Sequence, residues 1–154
     1  MRAAFADRPV LSETVLGFDV GVRRIGVAVG NTLLRQARPV AIVNAGDHDE
    51  GLGAIDKLVR EWQPERLVVG IPLSLDTATK PSSAFARCER FAARLGQLFK
   101  LPVERVDERY SSIDADTLHR DRRQAGLSRR AKALDDVAAE VILQRWFDAL
   151  PATA

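Results

Sequence analysis

Apolar and polar positions alternate in two distinct periods along this chain, and the switches between them mark out its elements. Thr14 to Val20 and Ile25 to Val29 are apolar β-type runs around a tight Gly-containing turn, the pattern of a β-hairpin. Ala37 to Val43 is a third such run, so the chain opens as three strands in meander order, followed by turn chemistry at Asn44-Ala45-Gly46-Asp47. Leu52, Ile55, Leu58, Val59 and Trp62 then recur at helical spacing, which predicts a helix from Asp49 to Trp62 that Pro64 ends. Arg66 to Ile71 is apolar without alternation, the mark of a strand covered on both faces.

A polar, Pro-bracketed loop, Pro72 to Pro81, leads into a helix from Ser82 to Lys100, with Phe85, Phe91, Leu95, Leu98 and Phe99 as core candidates. A helix, a doubly covered strand and another helix are the parts of a parallel crossover. Pro102 to Glu108 supplies the next strand and carries Asp107-Glu108-Arg109 to its C-terminal end, where α/β sheets place ligands. Ser111-Ser112 reads as an N-cap opening a helix to about Gln124, and the last helix runs roughly from Arg130 to Ala149. Residues 1–13 lack periodicity and read as a loose tail or short extra strand, leaving one domain over 14–150.

Composition narrows the class. Of 154 residues, 46% are hydrophobic and 29% charged, which fits a globular chain and neither a membrane protein nor a disordered one. No signal-like segment opens it, and Cys88 is its one cysteine, so the expected compartment is the reducing cytoplasm. The net charge of +2 hides an asymmetry. Between His119 and Lys132 lie Arg120, Arg122, Arg123, Arg129, Arg130 and Lys132 against Asp121, a local +5 that leaves −3 for the rest. Such a run is commonly a solvated surface, and it is also what a phosphate backbone requires.

Three carboxylates stand where carboxylates are costly. Asp19 interrupts an apolar strand, Glu108 ends the last strand, and Asp135 falls on the apolar face of the last helix with Ala138, Ala139, Ile142, Trp146 and Ala149. On the same wheel Glu140, Gln144 and Asp148 take the opposite side together with Val137 and Val141, and Asp136 lies on the flank. The small Ala138 and Ala139 would let that helix approach the sheet closely. Each acid has a bland reading: a turn residue for Asp19, a helix cap for Asp135. Meeting, they would repel unless a cation sat between them, and hard oxygen donors without Cys or His suit Mg²⁺ or Mn²⁺.

These stretches carry a resemblance. Gly17-Phe18-Asp19-Val20-Gly21 with Ile25-Gly26-Val27-Ala28-Val29, then Val69-Gly70-Ile71-Pro72 with Asp76, then Asp107 to Ser112 with Ala115, and finally Asp135 with Ala138-Ala139 and Ile142-Leu143 are similar to the YqgF/RuvX family of RNase H-like nucleases. The chain departs from the family at Thr77, where Gly is common, and in its longer tail. The resemblance implies an α/β ribonuclease H-like fold: a five-stranded mixed sheet, three antiparallel strands then two parallel ones, with helices on both faces. It also implies that Asp19, Glu108 and Asp135 match the acidic metal-binding positions. Family members are described as Holliday-junction resolvases and as nucleases maturing the 5′ end of pre-16S ribosomal RNA.

The activity so expected is Mg²⁺- or Mn²⁺-dependent hydrolysis of phosphodiester bonds in pre-rRNA or branched DNA. Arg109, Ser111 and Ser112 are candidate phosphate contacts beside the acids, with the basic stretch Arg120, Arg122, Arg123, Arg129, Arg130 and Lys132 holding the backbone further out. A resolvase acting on a symmetric junction requires a homodimer, and a processing nuclease does not. Two rivals stand beside this: a non-catalytic nucleic-acid module with the same fold, and half of an actin-like or sugar-kinase-type ATPase, against which the length argues.

Overall fold

The computed structural model describes residues 12–45, 48–72, 83–108 and 137–152. Five strands form one sheet: β1 (Thr14–Val20), β2 (Arg24–Asn31), β3 (Arg38–Asn44), β4 (Arg66–Ile71) and β5 (Val103–Asp107), in the spatial order β3-β2-β1-β4-β5. β1 pairs antiparallel with β2 and β2 with β3, while β4 runs parallel to both β1 and β5. The expected sheet is therefore present, and its helices lie on both faces. The helices among the described residues are α1 (His48–Trp62), α2 (Ser83–Phe99) and α3 (Val137–Asp148). None of them is long and apolar enough to cross a membrane.

Strand alternation divides the core in two. Leu16, Phe18 and Val20 of β1, with Leu67, Val69 and Ile71 of β4, face α1 and α2 and pack on Ile55, Cys88, Ala92 and Leu95. Phe18 and Phe91 meet edge-on with ring centroids 5.7 Å apart. On the other face Val15, Ala28, Val68 and Val106 receive Ala139, Ile142, Leu143 and Phe147 of α3. β4 is thus buried on both sides, as its unbroken apolar run required.

The inner face of α3 differs from the wheel drawn on sequence. Ala139, Ile142, Leu143 and Phe147 are fully buried, Ala149 is exposed, and Glu140, expected on the polar side, is buried. Val137 and Val141 are buried in a small cluster of their own. The helix is apolar nearly all round from residue 137 to 143, so its periodicity carries little directional signal. Gln144, also expected to face away, ties α3 to the β2–β3 connection: its Oε1 accepts from Ala37 N at 3.0 Å and its Nε2 donates to Arg35 O at 2.8 Å.

Close approach of α3 depends on the sheet's glycines more than on the alanines of the helix. A Cβ at Gly17 would stand 2.8 Å from Leu143 Cβ, one at Gly30 2.5 Å from the Phe147 ring, and one at Gly70 2.4 Å from Ile142 Cδ1. Such distances are far inside carbon–carbon contact, so α3 rests on three positions with no side chain. Glu13, at the end of the expected tail, belongs to this domain: it donates its N–H to Thr32 Oγ1 at 2.8 Å and pairs with Arg66 at 2.7 Å. Arg66 also reaches Glu104 at 3.1 Å and lies over the Trp146 ring, fastening β4, β5 and α3 together.

Candidate functional site

The C-terminal ends of β1, β4 and β5 lie side by side, and two of the three acids are there. Val15 and Gly17 face α3, so Asp19, two residues further along β1, is on that face as well. Phe18 pairs with Val69, which sets Asp19 level with Gly70 on the neighbouring strand. Across β4, Gly70 pairs with Val106, and Val106 also faces α3, so Glu108 points to the same side. Glu108 extends the ladder by one residue, donating its N–H to Ile71 O at 3.0 Å.

Gly70 lies between the strand positions of these two acids, and its missing side chain lets Ile142 and Glu108 close over the backbone. A Cβ there would stand 3.0 Å from Glu108 Oε2, so the carboxylate leans over the position where any other residue would place its side chain. Both acids are half-buried, in contact with water and with the low-dielectric sheet. Their joint field reaches Cys88 on the other face. Burial pushes the Cys88 thiol up to about 12, the Glu108 carboxylate adds to the push, Arg87 opposes it, and Asp19 contributes a further upward push. The thiol is buried with its Sγ 3.9 Å from Val20 O, an inert packing cysteine as expected.

The donor chemistry suits a hard divalent cation: two carboxylates on one sheet face, on the strands either side of Gly70. Among the described residues no group of three or more His, Cys, Asp or Glu comes together. Asp135 lies outside the described residues, two positions before the first residue of α3. The observed buried stripe through Ala139, Ile142, Leu143 and Phe147, counted back at the helical period, falls between positions 135 and 136. The wheel therefore no longer separates the two aspartates, and the choice of Asp135 rests on the family spacing. Arg109, Ser111, Ser112, Asp76, Thr77 and the basic stretch Arg120 to Lys132 also lie outside the described residues.

Sequence reasoning missed the exposed cations at this end of the sheet. Val22, Arg23 and Arg24 form the exposed tip of the β1–β2 hairpin, just beyond Asp19, with Gly21 N donating to Arg24 O at 2.9 Å. The tip is fixed from the side by Ala45 N, which donates to Arg23 O at 2.8 Å. Arg24 is two residues from Gly26, the cross-strand partner of Asp19, so it stands on the same sheet face as both acids. The signal was present in sequence as the Arg pair of the turn.

Residues 13–149 match a family model described as RuvX: Holliday junction resolvase. A "Putative pre-16S rRNA nuclease" of Bordetella parapertussis is 50% identical over 139 residues, covering 90% of this chain and 96% of that protein. A protein of the same name from Xanthomonas oryzae pv. oryzae is 47% identical over 138 residues, covering 88% of each. Among solved structures, Thermus thermophilus RuvC in complex with a Holliday junction substrate superposes with a TM-score of 0.54 at 18% identity, over 89% of this chain and 94% of the other. The fowlpox virus Holliday junction resolvase gives 0.56 at 12% identity, over 89% and 99%. At these identities the two structures show the shared fold.

Proposed function

The chain belongs to the RuvX family, and from that premise we propose that it is a Mg²⁺- or Mn²⁺-dependent endonuclease that hydrolyses phosphodiester bonds of structured nucleic acid, with the 5′ leader of pre-16S rRNA as its substrate. The observation that carries the reading is the placement of Asp19 and Glu108 on one sheet face, on the strands either side of Gly70 at the C-terminal edge of the sheet. Two half-buried carboxylates so placed repel each other, and a divalent cation turns that repulsion into binding.

Asp19 and Glu108 would hold the cation, with Asp135 as the third ligand. Bound there, Mg²⁺ or Mn²⁺ supplies activation of the attacking water and stabilisation of charge on the leaving oxygen. The protein's own part is orientation. β1 and β5 are locked to β4 by their ladders, so the two carboxylates keep their separation without help from a mobile loop. Arg109, Ser111, Ser112 and the stretch Arg120, Arg122, Arg123, Arg129, Arg130 and Lys132 would hold phosphates on either side of the cleaved bond. The cytoplasm is the proposed compartment, consistent with a lone, buried thiol.

The second reading, resolution of four-way DNA junctions by a homodimer, is favoured by the description of the matching family. A matched cleavage assay with Mg²⁺ and Mn²⁺ decides between them, offering a pre-16S 5′ leader RNA and a four-way DNA junction to wild type, Asp19→Asn and Asp135→Asn. Cleavage of the RNA by wild type and loss in both variants is expected. Binding without cleavage of either substrate would leave the non-catalytic module as the better reading.

A further inference from the structure

Helix α2 carries Arg87, Arg90 and Arg94 at spacings of i, i+3 and i+7, which puts them along one side of the helix. That side looks away from the core, since Cys88, Ala92 and Leu95 face the sheet. Arg90 and Arg94 are exposed and Arg87 is half-buried. Among the described residues none of the three has a hydrogen-bond or ion-pair partner, and the Arg87 Nε is buried with no acceptor. The one acidic residue of α2, Glu89, is taken by Arg105 at 3.0 Å. On α1 the outward Arg60 has Asp56 one turn away at 3.0 Å, so unopposed arginines are not the rule for this protein's helices.

Like charges one turn apart oppose helix formation, and a run of them is retained at a disadvantage unless an anion meets it. The position of the run says which anion. Its Arg87 end lies at the same C-terminal end of the sheet as the two acids, across the sheet from them: the adjacent Cys88 Sγ is 3.9 Å from Val20 O at the end of β1. The first turn of α2 contains no acidic residue, so the positive end of its dipole adds to the field there. From Arg87 to Arg94 the helix rises about 10 Å, over which one strand of a duplex presents about three phosphates along its axis.

We propose that Arg87, Arg90 and Arg94 form a phosphate track that carries one arm of the nucleic acid away from the cleaved bond along the outer side of α2. The track lies on the face of the sheet opposite α3. It reads charge and not sequence, because arginine–phosphate contacts position a backbone without distinguishing its bases. The inference rests on the nuclease reading for the identity of the polyanion.

The test is the salt dependence of binding, measured by fluorescence anisotropy in Ca²⁺ with a pre-16S 5′ leader RNA and a four-way DNA junction as probes. Wild type is compared with Arg87→Gln/Arg90→Gln/Arg94→Gln and with the exposed pair alone, Arg90→Gln/Arg94→Gln, after thermal unfolding has established that each variant folds. The slope of log K against log salt should become shallower by about 2 to 3 in the triple variant and by about 1 to 2 in the double, at roughly 0.7 to 0.9 per lost phosphate contact. Arg90→Lys/Arg94→Lys should keep the wild-type slope. An unchanged slope in the folded variants overturns the track and leaves the nuclease reading standing. A reduced slope together with no metal-dependent cleavage by wild type removes the nuclease reading and keeps the track.

Discussion

Gly70 carries more of this structure than its size indicates, and Gly70→Ala tests that directly. The added Cβ would meet Ile142 Cδ1 at 2.4 Å, Ile142 Cγ1 at 2.9 Å and Glu108 Oε2 at 3.0 Å. Ordinary carbon contacts lie at about 3.5 to 4.0 Å, so the Ile142 side chain must yield by about 1 Å. It is fully buried in one cluster with Leu143, Ala139 and the sheet. Overpacking of this kind costs about 1 to 3 kcal/mol, offset in part by the roughly 0.5 to 1 kcal/mol that replacing a strand glycine returns. The net loss of up to about 2.5 kcal/mol lowers the melting temperature by up to about 10 °C in a chain of this length. Glu108 is displaced in the same step, so Mg²⁺ binding measured by calorimetry should weaken as well. Gly53→Ala is the control: nothing lies within 4 Å of its Cβ position in the middle of α1, and it should gain about 0.5 to 1 kcal/mol. A Gly70→Ala protein that melts at or above wild type and binds Mg²⁺ unchanged would refute both the seating of α3 and the cradle under Glu108.

Asp19→Asn and Glu108→Gln should each abolish metal-dependent cleavage and remove the stabilisation that Mg²⁺ gives wild type; unfolding curves with and without Mg²⁺ measure this. Asp135→Asn should abolish cleavage and Asp136→Asn should leave most of it; the reverse outcome in a rate assay would transfer the third ligand to Asp136. Stability should fall as pH rises from about 9 towards about 12, because the unfolded Cys88 thiol loses its proton near 9.0 and the folded one keeps it to about 12, so the unfolded chain binds fewer protons in that window. Urea unfolding of wild type and Cys88→Ala across that range checks it, and equal slopes would reject the assignment. Gly17→Ala should destabilise by about 1 to 3 kcal/mol, since the clashing Leu143 Cβ is fixed to the backbone and cannot rotate aside.

Much of the fold was legible in the chain because each element keeps a clean period or a firm stop. β1 and β4 occupy the expected residues, and α1 and α2 each stop within a residue of the expected end. Both close on a residue with positive φ, Gln63 at 49° and Lys100 at 55°, followed shortly by Pro64 and Pro102. Strand order was not legible in this way. Nothing in the pattern of β4 or β5 states that β4 lies beside β1, and the resemblance implied a mixed sheet without its spatial order; the structure supplies it. The inner face of α3 was misread for a physical reason. A helix that is apolar at Val137, Val141, Ile142, Leu143 and Phe147 has a weaker amphipathic signal than α1 or α2, and what selects its face is the shape of the sheet beneath.

That shape also explains why the two described acids can be neighbours. Glycine reads in a sequence as a weakness in a strand, yet Gly17, Gly30 and Gly70 lie under α3 as a stripe across three strands. The stripe has two consequences from one cause. Towards the middle of the sheet, the absence of side chains lets Leu143, Ile142 and Phe147 sink onto the backbone and seals the core. At the C-terminal edge the same absence at Gly70 is taken up by Ile142 and by the Glu108 carboxylate, which leans over the backbone there, with Asp19 level with it on β1. A leucine or valine at position 70 would displace Ile142 and push Glu108 outward, whatever the sequence of the acids themselves. What lets Glu108 lie over the sheet is therefore a missing Cβ, and a motif search on carboxylates alone passes over it.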